Sequence, residues 1–218
     1  MKKTTKTTAR REKKTTTTMA NVGDAATANT TQDYEGETCN YPHQSHVNET
    51  TTTYCLGSLQ DREMIVTNEG VKISSRSEPH KQVELTTNRW AWLKALLPLI
   101  DQEAKELNRK TRPVAYRQHI GDGYYVSVNN GVMCVDIRKF FLPYGIEPGN
   151  ERPTKRGISL RLEEWADFLS IVPVVQLIFP GLMNSTPCYE QNDHLGQLGY
   201  FGCTSCNPFD VTNRLPLL

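Results

Sequence analysis

Near the C-terminal end, Cys188, His194, Cys203 and Cys206 have the side-chain types of a zinc centre built from three cysteines and one histidine. Cys203 and Cys206 are spaced as a C-x-x-C knuckle. Cys188 and His194 do not form a standard second knuckle, so the group reads as unliganded thiols in a mobile tail, with no metal expected. Cys39, His43 and His46 are a weaker set of the same kind. The chain contains no G-x-S-x-G, phosphate loop or H-E-x-x-H. Ile120-Gly121-Asp122-Gly123 reads as a turn, and Glu163 and Glu164 are helix neighbours that cannot face each other. These absences argue against an enzyme, and no cofactor is expected.

The elements that would position any site come from an internal repeat. Trp90 and Pro98 recur as Trp165 and Pro173, each shifted by 75 residues. Leu85, Leu93, Leu97 and Ile100 recur as Leu160, Phe168, Val172 and Val175. A turn precedes each set, Asn68 to Val71 and Asn129 to Val132, shifted by 61 residues. The second copy therefore carries fourteen extra residues, expected between about Phe140 and Lys155. Trp90, Leu93, Leu97, Ile100, Ala104 and Leu107 step by three and four, as do Trp165, Phe168, Val172, Val175, Phe179 and Leu182. Each series is one apolar helical stripe. A unit too small to bury its own face pairs with its copy, so Trp90, Leu93, Leu97, Ile100, Trp165, Phe168, Val172 and Val175 are expected at a pseudo-dimer seam.

Upstream of each helix lie strand signals. Tyr124–Asn129 and Val132–Phe141 flank Asn130-Gly131, a two-residue turn whose residues tolerate positive φ. Ile158–Leu160 reads as a short strand before the second helix, with Glu163 and Glu164 suited to the helix dipole. In the first copy Glu63–Thr67, Val71–Ser75 and Val83–Leu85 repeat the order, and Thr86 or Thr87 is the expected N-cap.

Composition sets the limits. Residues 1–53 are Thr-rich, carry almost no branched aliphatic side chains and are expected to be disordered. Residues 54–111 are read as a first, degenerate repeat, 112–183 as a better-preserved second one, and 184–218 as an irregular tail. Residues 1–14 sum to +6, which leaves −5 for the remainder of a chain whose net charge is +1. A basic arm on an acidic body suits a solvated tail, a nuclear-import signal or nonspecific phosphate contact. Phe168–Leu182 is too short and too interrupted by prolines for a membrane span, and no secretory signal opens the chain. Six scattered cysteines do not read as a secreted disulfide framework.

YYVSV, GVMCVDIRKFF and RPTKRGISLRLEEW together resemble the C-terminal domain of transcriptional positive cofactor 4, a single-stranded-DNA-binding coactivator family. The likeness spans about Ile120 to Val175, and the first copy resembles the family only through the second. It implies an α+β fold: two copies of a curved four-stranded antiparallel sheet plus one helix, the first copy shortened, packed as an intramolecular pseudo-dimer through the helices. It also implies binding of single-stranded or unwound DNA in a basic sheet channel with aromatic platforms, in the nucleus, alongside transcription-machinery proteins. Cations follow phosphates and flat side chains stack on any base, so such binding needs no sequence code.

Carried over residue by residue, the resemblance implies Arg138, Arg152, Lys155 and Arg156 as phosphate contacts, Phe141 as a stacking platform, and Tyr125 as a channel aromatic. The hairpin tip, Asn129-Asn130-Gly131, lacks the family's basic and aromatic residues, and Asp122 stands where the family has a lysine. The first copy offers mainly Arg76 and Lys81, so one functional channel is expected. The alternatives are a protein-interaction scaffold that kept the fold and lost nucleic-acid binding, an RNA-binding module, and a tail-borne zinc adaptor.

Overall fold

The computed structural model describes residues 51–194 and 196–209. The basic arm, Cys39, His43 and His46 lie outside the described residues. Alternating apolar positions build two antiparallel sheets of four strands each. The first holds β1 (Thr51–Leu56), β2 (Arg62–Thr67), β3 (Gly70–Ser75) and β4 (Gln82–Thr86), followed by helix α1 (Thr87–Arg109). The second holds β5 (Ala115–His119), β6 (Tyr124–Asn129), β7 (Val132–Phe141) and β8 (Arg152–Arg161), followed by α2 (Leu162–Ile178). Both sheets run in sequence order, so each is a simple meander. The fold is α+β, and the first copy keeps all four strands.

The strand register shows why the pattern folds this way. Met64, Ile73 and Val83 make one buried rung of the first sheet, and Val66, Val71 and Leu85 the next. In the second sheet the rungs are Val126, Ile137 and Ile158, then Val128, Val135 and Leu160. One-residue slippage would turn every one of these side chains to the other face. Met64 thus matches Val126, Ile73 matches Ile137 and Val83 matches Ile158, shifts of 62, 64 and 75 residues. The insertion is therefore split, with two residues at the hairpin tip and eleven between Ile137 and Ile158, thirteen in all, and most of the eleven lengthen β7 and β8 instead of forming a loop of fourteen.

The tip also departs from its expected form. Neither Asn130 nor Gly131 takes a positive φ. Val128/Asn129 carries a register shift instead, and the Asn129 carboxamide accepts the Gly131 N–H at 3.0 Å. An Asx bond thus replaces the glycine-like turn geometry. At the first helix the N-cap is Thr86, whose hydroxyl accepts from the Arg89 N–H.

One core serves both repeats. Trp90, Leu93, Ile100, Trp165, Phe168, Val172 and Val175 are buried in it, and Leu97 packs against it half-buried. Trp90 meets Phe168 edge-on at 6.1 Å, and Phe168 stacks on Trp165 at 5.1 Å. The helices do not simply pair with each other. Helix α1 packs on β6 and β7 as well as on its own β3 and β4, while α2 packs on β1 and β2 as well as on β7 and β8. Each helix is shared between the two sheets, and the Asp167 carboxylate of α2 accepts the Gly57 N–H at 2.8 Å. Helix α2 ends at Ile178, earlier than its stripe, yet Phe179 and Leu182 stay buried through the short helix α3 (Pro180–Met183). No helix among the described residues is long and apolar enough to cross a membrane.

The described tail is not loose. Two 3-10 turns (Cys188–Glu190 and Asn192–His194) and helix α4 (Gln197–Gly202) fold back onto the body. Cys188 donates its N–H to Asn88 Oδ1 at 2.7 Å, and Asp122 donates its N–H to the Ser205 carbonyl at 2.9 Å.

Candidate nucleic-acid interface

Strand β8 is longer than Ile158–Leu160, and its first half is irregular. Arg138 pairs with Gly157 and Phe140 with Pro153, so Thr154, Lys155 and Arg156 stand opposite the single residue Lys139. Bulges of this kind bend a strand and re-aim its side chains. Here the Thr154 hydroxyl donates to the Lys139 carbonyl at 2.8 Å and accepts the Arg156 N–H at 3.1 Å. The outcome is that Arg152, Lys155 and Arg156 are exposed. None of the three has a carboxylate partner among the described residues. Gly157 permits the approach: a Cβ there would stand 2.6 Å from the Ile137 carbonyl and 2.8 Å from Arg138 Cα.

Two aromatic residues flank this basic edge in the chain. Phe141, last in β7 and paired with Arg152, is 46% exposed. Tyr144, in the β7–β8 loop, is fully exposed. Sequence reasoning passed over Tyr144, because it lies in the inserted stretch that the first repeat lacks. The Gly/Pro-rich insertion was itself the available signal.

The other two expected residues are engaged. Arg138 is half-buried and forks onto Asp136, at 2.9 Å through Nε and 2.8 Å through Nη2. It also donates to the Thr154 carbonyl at 3.0 Å, and the bond to Asp136 raises its pKa further. Asp136 in turn accepts from the Ser159 hydroxyl at 2.6 Å. The charge expected to face phosphate is thus matched within the sheet. Two residues apart on a strand share a face, so the Asp-Ile-Arg spacing was the signal that could have shown it.

Tyr125 sits within a row of rings. Trp92 meets His119 at 5.2 Å, His119 meets Tyr125 at 5.1 Å, and Tyr125 meets Phe140 at 4.9 Å. The Arg117 guanidinium lies over both Tyr125 and Phe140, at 4.9 and 5.1 Å, and bonds to Glu151 at 2.9 Å. Burial pushes the Tyr125 phenol up to about 12. Burial likewise depresses His119 to about 4, against the pull of Asp122 and Glu151. Tyr125 is thus half-buried between the His119 and Phe140 rings.

The first sheet is different. Arg76 pairs with Glu63 at 3.3 Å, Lys81 with Glu78 at 2.5 Å, and Arg62 with Asp61. Asp122, in the turn before β6, holds Arg89 of α1 at 2.9 Å, and Arg89 lies over Tyr124 at 4.4 Å. That position is committed to joining the two repeats. The structure also brings together Cys188, His194, Cys203 and Cys206, whose ligand atoms all lie within 4.8 Å of one another.

The family model for Transcriptional Coactivator p15 (PC4) matches residues 125–171. That span begins at Tyr125 and takes in β7, the inserted loop, β8 and the first half of α2. The first repeat carries no such match. No curated protein and no solved structure matches the chain.

Proposed function

With its second repeat similar to the p15 coactivator family over residues 125–171, we propose that the chain binds single-stranded or melted DNA along β8 and the β7–β8 loop. In this reading it acts in transcription as a non-catalytic coactivator in the nucleus. Arg152, Lys155 and Arg156 follow the phosphates, and Phe141 and Tyr144 offer faces to unstacked bases. Arg138 and Tyr125 hold the sheet in shape beneath them. The observation that carries this reading is the contrast between sheets: Arg152, Lys155 and Arg156 are exposed at the β8 bulge without carboxylate partners among the described residues, whereas at the first sheet Arg62, Arg76 and Lys81 are each paired with an acid and the remaining cation, Lys72, is half-buried. It also supports one channel rather than two.

The test is fluorescence anisotropy of the full chain with a labelled single strand of about 20 nucleotides and with its duplex, over a salt series. The expected result is preference for the single strand, with affinity falling as salt rises, and a large loss in the pair K155E/R156E. The basic arm is present in both proteins, so the difference between them reports β8 alone. Equal binding by the pair variant would refute this interface. Absence of binding at low salt would leave the scaffold reading, which the Arg138–Asp136 pair and the acidic body favour.

A further inference from the structure

We propose that Cys188, His194, Cys203 and Cys206 bind one zinc ion, and that this ion fastens the C-terminal segment to the start of α1 and the turn before β6.

The distances fit the metal. A tetrahedral zinc with Zn–S near ~2.3 Å sets adjacent sulfurs roughly 3.8 Å apart, and a sulfur and an imidazole nitrogen roughly 3.6 Å apart. Cys188 Sγ lies 3.7 Å from Cys203 Sγ and 3.7 Å from His194 Nε2. The cysteines are free thiols, and Cys188 and Cys206 are buried. Three sulfurs and one nitrogen, complete in number and enclosed, suit a structural zinc site rather than an open catalytic one.

The surroundings orient the ligands. His194 Nδ1 bonds to Asp193 Oδ1 at 2.9 Å, which places the proton on Nδ1 and turns the Nε2 lone pair toward the sulfurs. Carboxylates hold zinc-bound imidazoles in this way. Backbone N–H groups of Ser205 and Cys206 are directed at the Cys203 sulfur. Asn88 in α1 joins the two halves of the cluster: its Oδ1 accepts the Cys188 N–H at 2.7 Å, and its Nδ2 donates to Ser205 Oγ at 2.9 Å. Tyr189, beside Cys188, packs edge-on against Trp92 at 4.5 Å. The ion would therefore sit behind the ring row that runs from Trp92 to Phe140. The segment around the cluster has no apolar stripe of its own, and short metal-bound segments use ligand bonds in place of a core.

The test is metal analysis of the full chain purified without chelator, together with thiol counting and cobalt substitution. The expected content is about one zinc per chain. The cobalt form should show thiolate charge-transfer absorption and the intense visible bands of a tetrahedral site with three sulfurs and one nitrogen. C203S and H194A should lose most of the bound metal, whereas C134S, which alters a buried cysteine outside the cluster, should keep it. H194C should retain zinc and shift the cobalt bands toward an all-sulfur pattern, which separates ligand loss from failure to fold. A metal-free chain in which Cys188, Cys203 and Cys206 all react as free thiols, a disulfide between Cys188 and Cys203, or full zinc in C203S and H194A would each overturn the proposal. None of these readouts depends on nucleic-acid binding.

Discussion

Arg138 and Asp136 face the same way on β7 and neutralise each other, with guanidinium-to-carboxylate distances of 2.8 and 2.9 Å. A cation that is matched inside the sheet contributes to the fold before it contributes to any ligand. Arg138→Ala removes the donor to both Asp136 and the Thr154 carbonyl at the bulge. The expected cost is about 1–3 kcal/mol of stability, because Asp136 is left half-buried without its cation. Urea unfolding checks it, and the slope of binding against salt should change little. A slope reduced as far as that of R156E would move Arg138 into the ligand-contacting set.

Lys155 and Arg156 carry the opposite expectation. R156E should weaken single-strand binding several-fold at low salt and lower the salt slope by roughly one phosphate contact. K81E removes a lysine already paired with Glu78, and its effect should be far smaller. Equal losses from the two would count against a single channel. Parallel anisotropy titrations at two salt concentrations make the comparison.

Gly157 supports the bulge by having no side chain. A Cβ 2.6 Å from the Ile137 carbonyl cannot be placed without moving β7 from β8. Gly157→Ala should cost about 1–3 kcal/mol by overpacking and also weaken binding, since Lys155 and Arg156 are aimed by the same backbone. Thermal unfolding and anisotropy on one preparation would show whether the two losses go together.

His119 makes stability depend on acid. Its folded pKa is lowered to about 4 by burial, below the usual 6.5. Its Nε2 accepts the Gly123 N–H at 3.2 Å, a bond that only the neutral ring can make. The unfolded chain therefore binds the proton more readily between these values. The His119 contribution is fully present above about pH 6.5 and is lost as pH falls toward 4, on the order of 3 kcal/mol in all. Denaturant midpoints from pH 7 to pH 4 should fall less in His119→Gln than in the parent chain. An unchanged pH dependence would remove His119 as the cause.

Trp90, Phe168 and Trp165 form the contact at which the repeats share a core. Phe168→Ala should cost about 3–5 kcal/mol. It should unfold both sheets in one transition, because α1 and α2 each pack on both of them. Near-ultraviolet and far-ultraviolet unfolding curves that fail to coincide would argue against the shared core.

The two tryptophan helices and their strands were legible because burial imposes a period, and the period survives in the residue types. Trp90 and Trp165 stand on stripes of 3.6, and Val126, Val128, Val135 and Ile137 alternate by two. The same logic showed that the chain holds two matching sheet-and-helix units. The rest was set by contacts between residues whose separation leaves no periodic trace. Arg138 lost its charge to a neighbour on its own face, Lys155 and Arg156 were turned outward by a bulge that Pro153 and Gly157 had disguised as a break, and each helix came to lie across the sheet of the other copy. Cys188, His194, Cys203 and Cys206 are the clearest case. Local order along the chain determined which residues were present, but their spacing matched no standard pair of knuckles. Only the docking of Asn88 against both halves of the tail brought three sulfurs and a nitrogen within 4.8 Å, because side-chain convergence depends on where the backbone returns in space and not on how far apart the residues stand in sequence.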